Sequence, residues 1–221
     1  MTRLHLICEG QTEEDFARFL LVPHFESFGI DLRPSCIGKV DQKGGRVNLQ
    51  RLEFDVKNRF VDKACYCTTL FDFYGLPRDF PGKAESAAFP SIADKQGAVI
   101  QALTDWAKGR LRAEDAVRFL PYVQMHEFEA LLFSEPGRLA QAIEAPKLKD
   151  DFERIRESFQ TPEWINDDPM TAPSKRIKNL HPRYSKPTDP VLAAEKIGLA
   201  AIRRECPLFS QWLSQLESLG R

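Results

Sequence analysis

Carboxylates that stand directly after apolar runs are the residues of this 221-residue chain best suited to chemistry. Leu4-His5-Leu6-Ile7-Cys8 runs into Glu9-Gly10, the run from Ala64 to Phe71 stops at Asp72, and the run from Val117 to Met125 leads into His126-Glu127-Phe128-Glu129. Acids at strand ends suit an oxygen-ligated divalent cation, since Mg²⁺ takes an octahedron of oxygens and keeps several waters beside one or two carboxylates. A His-Cys zinc site has no such support. At Glu9 the acid precedes a helix start, a place that would itself receive an anion. A metal ion explains that choice, and so does a plain solvated strand end. Each acid alone is open to the second explanation; the three together suggest a site.

The elements that must position these acids read as alternating strands and helices. A first strand ends at Cys8, Gly10 permits a tight turn, and Thr12 is expected to cap a helix with Glu13 and Glu14 in its first turn. That helix carries Phe16, Phe19, Leu20 and Val22 at helical spacing, and Pro23 should end or kink it. Residues Asp31 to Gly38 alternate as a strand, and Gly44-Gly45 marks a break. A helix follows from Val47 to Phe60, in which Phe54 and Val56 fit the period imperfectly. Ala64 to Phe71 is a buried strand, and Tyr74 to Ile92 is a long ordered loop beside its acidic end. Asp94 to Leu111 reads as a helix, Val117 to Met125 as a strand broken by Pro121, and His126 to Phe133 as a helix or turn.

Beyond Pro136 come short charged helices to Phe159, a proline-bearing polar region from Gln160 to Pro190 read as loop, and C-terminal helices split by Cys206-Pro207. The polar region holds too many potential ligands to be a tether. The expectation is an α/β fold with a mostly parallel central sheet flanked by helices. Residues 1–135 form its core, and residues 136–221 form a helical and loop extension packed on that core as one unit. In such a chain the strand ends converge on one edge of the sheet, where open α/β proteins bind ligands.

Composition fits a globular protein, with 43% hydrophobic and 29% charged residues. A net charge of −1 excludes a uniformly basic surface, although a local basic patch could still hold nucleic acid. Five cysteines, the closest pair spaced as Cys65-Tyr66-Cys67, form neither a disulfide framework nor a zinc motif. No run reaches membrane-spanning length and no cleavable leader is visible, so no membrane partner and a cytoplasmic location are expected.

Several blocks together resemble an uncharacterised bacterial Toprim-like family. They are Glu9-Gly10-Gln11-Thr12-Glu13, Asp72-Phe73-Tyr74-Gly75-Leu76-Pro77, Pro121 to Phe133, Ala172-Pro173-Ser174-Lys175-Arg176-Ile177 and Cys206-Pro207-Leu208-Phe209. The His126 to Phe133 block is the most specific. The resemblance implies a Toprim-type domain, distantly similar to the nuclease part of overcoming-lysogenisation-defect proteins, holding Mg²⁺ or Mn²⁺ on a strand-end Glu and an Asp-x-Asp pair. Glu9 matches the Glu and Asp72 the first Asp, but Tyr74 stands at the second Asp. Glu127 or Glu129 would have to fill that vacancy, with Glu13 a further candidate.

The resemblance also implies a metal-dependent nuclease or phosphodiesterase, paired with a partner ATPase in bacterial defence against phage. Glu9, Asp72, Glu127 and Lys175 would be its catalytic residues. Lys175 and Arg176 would bind phosphate, offsetting charge that develops on it, or else form a basic helix start at the surface. Tyr74, His126 and Ser174 are accessory candidates. The alternatives are a catalytically weak Toprim scaffold serving as a binding or regulatory subunit of the ATPase, which Tyr74 favours, and a hydrolase of small phosphate esters.

Overall fold

The computed structural model describes residues 1–38, 47–165, 168, 171–186 and 188–220. The expected break at Gly44-Gly45 and the prolines Pro169 and Pro187 lie outside the described residues. The chain divides into two compact units, Met1–Gln124 with Gln215–Arg221, and Met125–Ser214. The division falls at Gln124, within the stretch that the sequence assigns to the core.

The first unit is a parallel α/β layer. Its strands are β1 (Thr2–Cys8), β2 (Ile30–Cys36), β3 (Cys65–Asp72), β4 (Phe119–Leu120) and β5 (Val123–Gln124). They run in the order β2-β1-β3-β4, with β5 pairing further along β3, and every pairing is parallel. Strands of a covered parallel sheet are apolar on both faces, and the runs behind β1 and β3 have that character. Leu4, Leu6, Ile7, Cys8, Cys67, Leu70 and Phe71 are fully buried. The edge strand β2 alternates more and carries Pro34, a residue that a central strand excludes.

The helix after β1 differs from expectation at both ends. Its N-cap is Gly10 rather than Thr12, and the Glu13 carboxylate reaches back to accept the Gly10 N–H at 2.9 Å. It also runs past Pro23. Residues Gln11–Phe16 are α-helical, Ala17–Leu21 widen into a π turn, and Val22–Glu26 continue as α-helix. Proline lacks an N–H and crowds the preceding turn; the widened turn, in which the Val22 N–H reaches back to the Ala17 carbonyl, absorbs that defect. The helix Leu49–Arg59 starts on Asn48, whose side chain accepts from the Arg51 N–H. Its irregular period resolves into a buried Val56 and a Phe54 that is 46% exposed. The helix Ile92–Arg110 starts on Ser91.

Pro121 does break the fourth strand, and two threonines of β3 close the gap. Thr68 donates its hydroxyl to the Leu120 carbonyl at 2.6 Å. Thr69 donates to the Tyr122 carbonyl at 2.7 Å and accepts the Tyr122 N–H at 2.9 Å. Both backbone groups of Tyr122 are therefore satisfied by one buried hydroxyl where the ladder is interrupted.

The second unit is helical. Phe128–Ser134 form a buried 3-10 stretch, followed by the helices Pro136–Ala142 and Lys149–Glu157. The proline-bearing region is not simply loop: it contains the 3-10 turn Pro162–Trp164 and the helix Pro173–Leu180. Proline is tolerated at a first helical position, where its missing N–H has no intrahelical role. The C-terminal part comprises Asp189–Ile197, Leu199–Glu205 and Pro207–Glu217. Gly198, at φ +85°, separates the first two, which the sequence suggests are one helix. The fully buried Glu163 caps the last helix, accepting the Leu208 N–H at 3.1 Å and the Phe209 N–H at 2.9 Å. All five cysteines are buried and free of disulfides, as their spacing implies. Among the described residues no helix is long and apolar enough to cross a membrane.

Thr69→Val keeps the shape of the side chain but leaves the N–H and C=O of Tyr122 without their partner. The expected loss is about 1–3 kcal/mol of unfolding free energy, read by urea denaturation; an unchanged midpoint would contradict this role. A second test concerns pH. Burial pushes the Glu163 carboxyl up to about 7 against the opposing pull of its two N–H donors. A folded-state pKa above the ordinary 4.5 contributes stability that is complete at low pH and is lost as the pH rises towards 7. Unfolding free energy should thus fall more steeply between pH 5 and 7 in the wild type than in Glu163→Gln, and parallel curves would refute the shift.

Candidate active site

In the first unit the structure brings Glu9 and Asp72 together. β1 and β3 are neighbours, with Cys8 opposite Leu70, so the residues that follow both strands emerge at the same carboxyl edge. The Glu9 N–H donates to the Leu70 carbonyl at 3.2 Å, and its Oε2 accepts the Asp72 N–H at 3.1 Å. The Glu9 side chain therefore reaches across to the end of β3. Both acids are half-buried.

The turn after β3 is shaped around that carboxylate. The Gly75 N–H closes back on the Asp72 carbonyl at 3.0 Å. A Cβ at Gly75 would stand 2.5 Å from Glu9 Oε2 and closer still to Oε1. Only a glycine admits the carboxylate as it lies. Tyr74, in the same turn, is half-buried with its hydroxyl inside. Lys83, from the following loop, donates to the Phe73 carbonyl at 2.6 Å and lies 3.1 Å above the Phe73 ring centre. A cation is thus fixed on the residue after Asp72. Sequence reasoning did not single out Lys83; its one signal was membership of the ordered loop beside the acidic strand end. Glu13, one helical turn on, is buried and engaged with the Gly10 N–H.

The later candidates lie in the second unit. Glu127 Oε2 accepts the Ser174 N–H at 2.9 Å, which makes it the acid at the start of helix Pro173–Leu180. Glu129 is 2% exposed and pairs with Lys186, Nζ to Oε1 at 3.0 Å. Burial pushes its carboxyl up to about 7, with Lys186 opposing and Glu127 adding to the rise. His126 is buried, its Nδ1 3.1 Å from the Ile165 carbonyl. Lys175 is exposed on its helix. Arg176 donates Nε to the Thr171 carbonyl at 2.7 Å and lies 5.2 Å from the Phe159 ring centre, so it also braces its own segment. Lys186 and Tyr184, the latter within electrostatic reach of Glu129 and Glu127, are further polar groups around these acids. Their signal in the sequence was the ligand-rich character of the region up to Pro190.

Chemically, the Glu9 carboxylate beside the Asp72 main chain would suit a hard cation that retains most of its waters, because one or two carboxylates suffice for Mg²⁺. It does not resemble a closed protein cage: among the described residues no group of three or more His, Cys, Asp or Glu side chains is gathered to hold a metal. Gly75→Ala separates site from fold. The atoms nearest the added methyl belong to the carboxylate end of Glu9, so the carboxylate is displaced from the Asp72 N–H while the backbone stays. The expected result is a moderate loss of stability, about 1–3 kcal/mol for the hydrogen bond to the Asp72 N–H, with a much larger loss of any function that depends on Glu9. Unaltered Mn²⁺ binding and activity in Gly75→Ala would contradict the placement of that carboxylate.

No curated protein and no solved structure is similar enough to match this chain. One family model does match, described as "Domain of unknown function (DUF4276)", over residues 8–217. That span takes in Glu9 and Asp72 as well as Glu127, Glu129 and the segment of Lys175. The chain therefore belongs to the DUF4276 family.

Proposed function

We propose that this protein is a Toprim-like, divalent-metal-dependent phosphodiesterase acting on nucleic acid in the cytoplasm, as the effector of an ATPase-linked defence against phage. The observation that carries the reading is the meeting of Glu9 and Asp72 at the ends of adjacent parallel strands, with the Glu9 carboxylate bonded to the Asp72 N–H. Glu9 and Asp72 hold Mg²⁺ or Mn²⁺, with Glu13 of the same unit as a further candidate ligand; Glu127 and Glu129 are the candidate acids of the second unit. Such an ion, when bound, polarises a phosphoryl oxygen and lowers the pKa of its water. The chain's own part is to orient the phosphodiester and to offset its charge. Lys175 and Arg176 take that role, and Lys83 adds a cation beside Asp72.

One observation favours a second reading. Tyr74 stands where a second aspartate is expected, and no group of three ligands is gathered among the described residues. This suits a metal-poor scaffold that binds or regulates a partner ATPase.

Thermal melting and cleavage assays separate the two. Under the first reading Mn²⁺ raises the melting temperature through mass action, and Glu9→Gln or Asp72→Asn abolishes both that shift and the cleavage of single-stranded, duplex or structured nucleic acid. Lys175→Ala leaves the shift intact while lowering turnover by about 10²–10³, the range for one lost electrostatic stabiliser. A melting point indifferent to saturating Mn²⁺, with no cleavage even when an ATPase partner is added, would decide for the scaffold.

A further inference from the structure

A cavity of about 460 Å³ opens at the amino-terminal edge of the sheet, between the C-terminal ends of the helices Leu49–Arg59 and Ile92–Arg110. It lies wholly within the first unit. Lys63, on its wall, precedes β3, whereas Asp72 ends that strand, so the eight residues of β3, about 25 Å of chain, run between the cavity and the candidate active site. Phe60, Val61 and Leu111 give the cavity an apolar lining. Phe60 is anchored in the core, while Val61 is 80% exposed beside it. Volume and lining are those of a small-molecule site.

The charge around that lining selects the ligand. Lys57, Lys63, Arg110 and Arg112 all line the cavity, and among the described residues Asp115 is its one carboxylate. Asp115 is already satisfied, since Arg112 Nε and Arg118 Nη2 each reach it at 2.6 Å. Glu53 holds Lys57 at 2.6 Å and stands 3.9 Å from Arg110. Basic residues in a last helical turn offset the negative end of the helix dipole, which accounts for Lys57 and Arg110. It does not account for Lys63 and Arg112, which lie beyond both helices. Lys63 is exposed and makes no ion pair among the described residues. Arg112 Nη1 meets the exposed Glu114 at 3.5 Å, a surface pair worth little. Positive charge thus exceeds negative at the mouth, and a phosphate, which guanidinium groups grip through paired N–H donors, matches it. The apolar lining calls for a body attached to that phosphate.

We propose that this cavity binds a small organic phosphate with a flat apolar body, the chemistry of a nucleoside monophosphate. Lys63, Arg110 and Arg112 hold the phosphate, and the body lies on Phe60, Val61 and Leu111. A free nucleotide fits better than a strand, which takes a basic groove that tracks its backbone rather than a closed-in cavity. The site stands apart from the carboxyl edge of the sheet, where the metal-dependent chemistry is proposed, and neither reading depends on the other.

The test is isothermal titration calorimetry of the full chain with AMP, adenosine and inorganic phosphate, at low salt and without divalent metal. AMP should bind, with adenosine and phosphate each at least tenfold weaker, because each satisfies only half of the site. Lys63 and Val61 are exposed, so changing them spares the fold. Lys63→Glu should weaken AMP about tenfold or more by reversing a charge at the mouth. Val61→Ser should weaken it about three- to fivefold through lost apolar contact, and Glu9→Gln should leave it unchanged. AMP that binds no more tightly than inorganic phosphate, or equally to wild type, Lys63→Glu and Val61→Ser, overturns the site. AMP binding lost in Glu9→Gln but kept in Lys63→Glu places the nucleotide at the carboxyl edge and overturns it as well. A single-stranded oligonucleotide that displaces AMP at a lower concentration than AMP itself assigns the cavity to a strand and overturns the free-nucleotide reading.

Discussion

The parallel register of β1 against β3 is the constraint on which the candidate site depends. With Cys8 set opposite Leu70, the chain leaving β1 and the chain leaving β3 emerge side by side. The burial of Leu4 and Leu6 on one face and of Cys67 and Phe71 on the other anchors both strands in the core, so the acids that follow them are carried on a fixed frame. The Glu9 carboxylate then becomes part of the fold by accepting the Asp72 N–H, and Gly75 leaves it the room. Stability and chemistry here share the same few atoms. That sharing also explains why the turn after β3 carries a glycine at 75, a position where no positive φ demands one.

A second theme is the use of buried and half-buried carboxylates to receive the N–H groups of helix starts. Glu163 does this for the helix Pro207–Glu217 and Glu127 for the helix Pro173–Leu180, while Glu13 serves Gly10 in the first unit. Each acid gains a hydrogen bond from a main-chain N–H at a helix start. At Glu163 burial outweighs the pull of its two N–H donors, and at Glu129 it outweighs that of Lys186, so both carboxyls are pushed up. Glu127 shows that a candidate ligand can carry a structural duty as well, so loss of activity on its removal would not by itself assign a catalytic role.

The central strands were legible because β1 and β3 are nearly continuous apolar runs that end in acids, and Pro121 marked the interruption between β4 and β5. Helix starts were less legible. Pro173 looked like loop punctuation, yet proline at a first helical position begins a helix, and Thr12 lost the cap to Gly10 because the Glu13 side chain could reach back. Pro23 suggested an end or a kink, but the chain absorbed it in a π turn, a solution that no local pattern announces. Lys83, Tyr184 and Lys186 could not be read as partners of acids from spacing at all. Lys83 meets Phe73 ten residues away through a loop, and Lys186 meets Glu129 only when the second unit has folded. The acids were visible in one dimension; their counter-charges belong to three.

The central claim is that Glu9 and Asp72 form the cation-binding heart of the protein. Crystals soaked in Mn²⁺ and measured at the manganese absorption edge test it most directly. The account predicts an anomalous peak within coordination distance of the Glu9 and Asp72 carboxylates, about 2.0–2.2 Å for a hard divalent ion. Ordered Glu9 and Asp72 side chains without any such peak, in crystals saturated with Mn²⁺, would contradict it.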